Sequence, residues 1–360
     1  MTEYWHPQAP GKPAGRQPAS TDTEARTRSG YVAAWEQGGA RRRSAGRADM
    51  TTRNDRIAGV LLAQACGDAL GTHYQTGTPS HGHAQMLGGG HGFEPGEYSD
   101  DTQQACCVAM ARSEPLAVAA RLLEWYASHP TDIGQATRAV LSGCRTPGEV
   151  LAASQAYGGQ MVARPKPRGW HPGLPNGSLM RTGPVCLPFL GDRPAIAKAA
   201  RAVSDLTHCD PYAGDACVLW SLAIDAAIAA ADDTNARSLM TAGLPYVPRA
   251  RRGWWSQQIA QALRNRPAVY RMNGSAVGAF AAALSSVSHA RSLPNGLQKA
   301  IQIGGDTDTV AAIAGSLLGA IYGASAVPDP WREAVWGWPG MKAADLEALA
   351  LQAASPQVTP

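Results

Sequence analysis

The sequence predicts an all-α fold, a single domain built from many helices. Apolar residues recur at helical spacing from about residue 53 to 354, and no stretch alternates apolar and polar residues as a half-buried strand would. Aromatic residues make up only 6% of the chain, while Ala and Gly dominate, which suits closely packed helices better than a sheet. Pro and Gly fall between the periodic segments, where helices start and stop.

Taken in order, Ile57, Val60, Leu61, Ala65 and Leu70 mark a mostly apolar helix that stops at Gly71. Further helices are expected at about 101–113, 115–128, 133–142, 178–190, 194–207 and 213–231, then at about 254–264, 275–288, 305–323 and 341–354. The stretch 158–176 is rich in Gly, Pro and basic residues and reads as a long loop, a length often tied to function. Residues 53–354 form the domain, and 355–360 a short C-terminal tail.

The first 52 residues are expected to be a disordered basic tail, with Pro7, Pro10, Pro13, Pro18 and the run Arg41-Arg42-Arg43. Residues 1–49 hold eight Lys/Arg against five Asp/Glu, which leaves 24 against 23 for the remainder of a chain of net charge +4. The domain is therefore nearly neutral, which argues against an extended nucleic-acid surface on it. No apolar run reaches about 18 uninterrupted residues, so no membrane span is expected. The N-terminus carries charge and proline where a signal peptide needs an apolar core, so a cytoplasmic location is expected. The seven cysteines sit mostly within apolar helical patterns and form no CxxC pair; they read as buried, reduced thiols. No heptad or interface stripe stands out, and a monomer is expected.

Two knots of carboxylates and hydroxyls carry the chemistry: Ser99-Asp100-Asp101-Thr102, and Gly304-Gly305-Asp306-Thr307-Asp308-Thr309 about two hundred residues later. Each sits where a helix begins. Ser99-Asp100-Asp101-Thr102 alone reads first as a helix cap, since Ser and early Asp both favour a helix N-terminus. The second knot holds more charge than a cap needs, and two crowded carboxylates repel unless something neutralises them. A cation at the positive end of a helix needs several carboxylates to outweigh the dipole. Two such knots folded together would make a hard-cation site of Asp oxygens and Ser/Thr hydroxyls.

Gly67-Asp68-Ala69-Leu70-Gly71, Ser99 to Thr102, Asp132-Ile133-Gly134, Asn176-Gly177-Ser178-Leu179-Met180-Arg181, Leu206-Thr207-His208 and Gly304 to Thr309 follow one another in series. In this order they resemble the ADP-ribosylglycohydrolase family, including its dinitrogenase reductase-activating and ADP-ribosylarginine-hydrolysing members. The resemblance runs from about residue 54 to 335. It implies a compact multi-helix orthogonal bundle with two divalent cations, Mg2+ or Mn2+, in a cleft between the knots. The implied metal ligands are Ser99, Asp100, Asp101, Asp306, Asp308 and Thr309, and the implied catalytic groups are Asp101, Asp132 and Asp308. Asp101 and Asp308 would also orient the attacking water, and Asp132 would stand near the scissile linkage.

Implied substrate-binding residues are Gln75, Gly134, Asn176, Gly177, Ser178, Met180 and His208. Asn176 to Ser178 would offer N–H groups to a diphosphate at a helix start. His208 would stack on adenine, with Trp170 as a further stacking candidate; Met180 and Arg181 are either packing or pocket wall. The implied function is removal of ADP-ribose from a modified protein or small molecule, with arginine as the leading linkage and serine or a nucleobase as alternatives. Gln75 stands where the family usually has Glu. An amide keeps the oxygen but cannot act as a base, so an ADP-ribose-binding module with weak or no catalysis is the second reading. Nearby His73 is either a substitute base or a surface histidine.

Overall fold

The computed structural model describes residues 53–75, 77, 82–88, 92–162, 173–230 and 235–356. The N-terminal tail with Arg41–Arg43, as well as Trp170, lies outside these residues. The described chain is almost wholly helical: α1 (Arg53–Gly71), α2 (Asp100–Met110), α3 (Pro115–Ala127), α4 (Gln135–Leu141), α5 (Pro147–Val162), α6 (Arg193–Asp205), α7 (Pro211–Ala229), α8 (Ala236–Thr241), α9 (Arg249–Arg264), α10 (Ala276–Ser288), α11 (Leu293–Ile301), α12 (Thr307–Tyr322), α13 (Asp329–Ala334) and α14 (Ala343–Ala354). Their starts follow capping chemistry. Ser99, Glu114, Asp192, Asp210, Ser275 and Ser292 each accept a first-turn backbone N–H, and Pro stands in the first turn after Glu114, Asp192, Asp210 and Ser292.

At the centre α1 and α12 run antiparallel in near backbone contact. A Cβ on Gly59 would lie 2.4 Å from Gly319 O, one on Gly67 2.3 Å from Ala311 O, and one on Gly315 2.3 Å from Ala63 O. Small residues four apart on both helices remove the ridge that side chains would raise, so the two axes approach closely. α12 also packs against α7, α10 and α11, and α1 against α2 and α14. Both central helices are buried nearly all round, as expected of a helix without a polar face. Among the described residues α7 alone is long and apolar enough to cross a membrane. It is instead a core helix, and its buried Asp215 receives Arg201 at 2.6 Å, Arg251 at 2.5 Å and Trp255 Nε1 at 3.1 Å.

Four expectations change. The expected helix 178–190 is two 3-10 segments, Asn176–Ser178 and Gly183–Phe189, because Gly183, Pro184 and Pro188 cannot sustain an α-helix. The expected loop 158–176 begins as the end of α5. α11 was hidden by Pro294-Asn295-Gly296, which reads as a turn; here the proline occupies a Ser292-capped first turn. A two-residue antiparallel pair, Trp336–Gly337 with Met341–Lys342, is too short to show alternation. All seven cysteines are free, and five of them are buried.

Candidate active site

The two knots meet at one end of the α1–α12 pair. A Cβ on Gly71 would lie 2.3 Å from the Asp308 Cα, so the end of α1 abuts the start of α12, and Thr307 Oγ1 donates to Gly71 O at 2.8 Å. Asp68, one turn earlier on α1, holds the other knot. Its Oδ1 accepts from Ser99 N at 2.9 Å, and its Oδ2 accepts from Thr102 N at 2.9 Å and Thr102 Oγ1 at 2.6 Å. α1 thus touches both knots and sets the distance between them. Asp68, Asp101 and Asp308 each place a carboxylate oxygen within 4.8 Å of the others.

Within the first knot, Ser99 Oγ donates to Asp101 Oδ2 at 2.8 Å, so the buried hydroxyl is committed to orienting its neighbour. Gln104 Nε2 donates to Asp100 Oδ2 at 3.1 Å. The second knot turns through Gly304 and Gly305, both at φ 77°, a backbone open only to residues like glycine. Asn273 brackets that turn, donating to Gly304 O at 3.0 Å and accepting from Asp306 N at 3.0 Å. Asn176 Nδ2 donates to Asp306 Oδ2 at 2.7 Å and to Asn273 O at 3.1 Å. Asn176 therefore joins the site as a partner of Asp306.

Crowding and burial disfavour the charged form of these acids. Burial, then the charges of Asp132 and Asp68, push the Asp100 carboxyl up to about 8. Burial outweighs the hydrogen bonds from Thr102 and Ser99 and lifts Asp68 to about 6. Asp101 is raised by burial, Asp68 and Asp308, and Asp308 by burial, Asp306 and Asp68. No Lys or Arg forms an ion pair with any of them among the described residues. Asp101 Oδ1 and Asp308 Oδ2 are buried with no hydrogen-bond partner among the described residues. Orphaned anionic oxygens on facing helix starts suit a divalent cation, which would reverse the repulsion and complete their coordination.

Other expected residues fall elsewhere. Met180 is core, 4% exposed, and its carbonyl accepts from Gln64 Nε2 at 2.9 Å. Arg181 is fully buried packing: it donates to Gln104 Oε1 at 2.9 Å, Val203 O at 2.9 Å and Thr207 Oγ1 at 2.7 Å. The Ser178 hydroxyl turns inward, where it accepts from Ser204 Oγ at 3.0 Å. Asn176–Ser178 is one 3-10 turn, so the anion-attracting helix start expected there is not formed. His208 is 1% exposed, its ring against Gly177 and its Nδ1 2.8 Å from Thr207 Oγ1. It therefore has no open face for an adenine, and burial and then Arg181 pull its pKa down to about 3.

Asp132 is half-buried near Asp100, and the exposed Gly134 precedes α4, where its backbone N–H reaches toward Asp100. Gln75 lies just past the end of α1, and its Oε1 is buried without a partner among the described residues. His73 is exposed, with Nδ1 on Gly88 O at 2.8 Å. Sequence reasoning missed Asp68, Gln104 and Asn273 as parts of the site. Asp68 had a signal, as a carboxylate inside an otherwise apolar helix.

The ADP-ribosylglycohydrolase family model matches residues 49–358. The chain belongs to the ADP-ribosylglycohydrolase family. As a member it is a hydrolase of glycosyl bonds. It is 28% identical over 298 residues to an ADP-ribosylarginine hydrolase, Tri1, of Pseudomonas putida, covering 78% of this chain and 74% of that protein. It is 26% identical over 297 residues to the ADP-ribosyl-[dinitrogen reductase] glycohydrolase of Rhodospirillum rubrum, covering 77% and 89%. A solved ADP-ribosylglycohydrolase-related protein complex matches with a TM-score of 0.64 at 29% identity, covering 85% of this chain and 99% of that one. In this ADP-ribosylglycohydrolase the acidic end of the α1–α12 pair is the candidate active site.

Proposed function

We propose that this ADP-ribosylglycohydrolase releases ADP-ribose from a modified protein side chain, with arginine as the linkage. The observation that carries the reading is the pair of orphaned buried oxygens, Asp101 Oδ1 and Asp308 Oδ2, on two carboxylates that each bring an oxygen within 4.8 Å of the other. The names of the Pseudomonas putida and Rhodospirillum rubrum relatives support the substrate class.

Asp100, Asp101, Asp306, Asp308 and Thr309 would hold two divalent cations, Mg2+ or Mn2+, with Ser99 fixing Asp101. Bound there, the ions would supply Lewis acidity and lower the pKa of a bound water. The chain's own groups do the rest. Asp101 and Asp308 orient the attacking water by accepting its hydrogens. Asp132, half-buried beside Asp100, receives the departing guanidinium by charge-assisted hydrogen bonds. Asn176 keeps Asp306 pointed into the site. Gln75 offers an oxygen but no base, which motivates the second reading: binding with slow turnover.

The test is release of free ADP-ribose from ADP-ribosylated arginine, serine and nucleobase substrates in Mg2+ or Mn2+. Release from the arginine conjugate is expected. No release from any conjugate, with ADP-ribose binding retained in calorimetry, leaves the binding reading; release from serine alone overturns the arginine assignment.

A further inference from the structure

Charge is segregated along this chain. Between Asp233 and Asp306 there are 72 residues with eight Arg, one Lys and no Asp or Glu. The near-neutral balance of the domain therefore conceals a basic stretch that ends at the candidate site. Within it the C-terminus of α9 runs into a tight knuckle. Val269 N donates to Arg266 O at 3.2 Å, Tyr270 N to Pro267 O at 3.0 Å, and Asn265 Nδ2 to the Tyr270 hydroxyl at 3.3 Å. Arg264, Arg266 and Arg271 are exposed, and among the described residues none makes an ion pair or side-chain hydrogen bond. Between them stand Val269, 63% exposed, and Met272, 48% exposed.

This knuckle borders the acidic site. A Cβ on Gly305 would lie 3.0 Å from Arg271 O, and Asn273, two residues on, holds Gly304 and Asp306. An exposed arginine whose backbone touches the turn before Asp306, yet pairs with no carboxylate among the described residues, is available to something outside the chain. Unpaired guanidiniums interleaved with exposed aliphatic side chains suit a peptide carrying both acidic and apolar residues. A continuous polyanion suits the place less well, because its next phosphates would face Asp306.

We propose that Arg264, Arg266 and Arg271, with Val269 and Met272, form a docking lip for an acidic segment flanking the modified residue of the substrate protein. This rests on the hydrolase reading of the adjacent site. The lip selects which modified proteins are processed and contributes to encounter through charge.

The experiment compares kcat/KM at low salt for three substrates: free ADP-ribosylarginine, an ADP-ribosylated peptide flanked by Glu and Leu, and one flanked by Lys and Leu. The enzymes are the full chain and its R264Q/R266Q/R271Q and R264E/R266E/R271E forms. The Gln form is expected to lose roughly fivefold to tenfold on the Glu peptide, through KM, and nothing on free ADP-ribosylarginine, as exposed charge pairs are individually weak. The Glu form is expected to prefer the Lys peptide. Equal loss on free ADP-ribosylarginine would place the arginines on the ADP-ribose diphosphate and overturn the proposal, as would no change on any substrate.

Fluorescence anisotropy with unmodified Glu-Leu peptide, Lys-Leu peptide and a labelled DNA duplex separates the two readings. Arginine-dependent binding of the Glu peptide by a protein that hydrolyses nothing would remove the hydrolase reading and keep the lip. Tighter arginine-dependent binding of the duplex would overturn the acidic-peptide partner.

Discussion

Gly71 and Asp308 meet backbone to backbone, 2.3 Å separating the position of a Cβ on Gly71 from the Asp308 Cα. The two helices of the core thus end in the acidic site, and packing of the core sets its geometry. Gly71→Ala should push the start of α12 away, at a cost of roughly 1–3 kcal/mol for overpacking, and weaken Mn2+ binding. Gly253→Ala on α9, where a Cβ meets nothing within 4 Å, should leave Mn2+ binding unchanged and stability unchanged or higher by about 0.5–1 kcal/mol. Denaturant titration and calorimetry read both, and an unaltered Gly71→Ala protein would contradict the close approach.

Stability of the metal-free protein should fall as pH rises. The folded-state values of Asp68 and Asp100, about 6 and about 8, lie above the ordinary carboxylate value of about 3.9, and Asp101 and Asp308 shift the same way. From about pH 4 to about pH 8 the native state then binds more protons than the unfolded state, so the stability present at low pH is lost through this window. Melting temperature in a chelator should decline from pH 5 to 8. Mn2+ should raise it most at pH 8, where its binding competes with fewest protons. A flat metal-free profile would mean that these carboxylates ionise freely.

Arg181 and Asp100 communicate through Gln104, which accepts from the guanidinium at 2.9 Å and donates to the carboxylate at 3.1 Å. Gln104→Leu should remove one hydrogen bond from each partner, although Arg181 keeps Val203 O and Thr207 Oγ1, and weaken Mn2+ binding by roughly tenfold or more, as loss of an outer hydrogen-bond partner commonly does. The measurement is the Mn2+ dissociation constant with melting temperature recorded beside it. Lower stability with unchanged affinity would confine the Arg181–Gln104 pair to packing.

Asp306→Ala and Asp308→Ala should each abolish Mn2+ binding detectable by calorimetry. Gln75→Glu should raise kcat on ADP-ribosylarginine by roughly a hundredfold if the absent carboxylate limits turnover, the lower end of the usual range for a positioned base. Unchanged affinity in the first pair would refute the site; unchanged kcat in the last would mean that another group already does that work.

The helical class, most helix positions and both acidic knots were legible, because apolar periodicity, caps and crowded carboxylates are local signals. α5, α8, α11 and α13 were not; in α11 Pro294-Asn295-Gly296 carries turn chemistry that Ser292 converts into a helix start. The burial of the Met180, Ser178 and His208 side chains was not legible for another reason. Position along a motif says nothing about which way a side chain faces, and all three face the interior.

Sequence alone determined that this is a helical ADP-ribosylglycohydrolase with two acidic helix starts, since residue type, spacing and motif order are properties of the chain. Tertiary structure decided that Asp68 on α1 clasps the first knot while Gly71 abuts the second, so that Asp101 and Asp308 face one another. That juxtaposition depends on glycines about 250 residues apart removing the side chains that would otherwise hold α1 and α12 apart, a long-range steric fact that no local pattern carries.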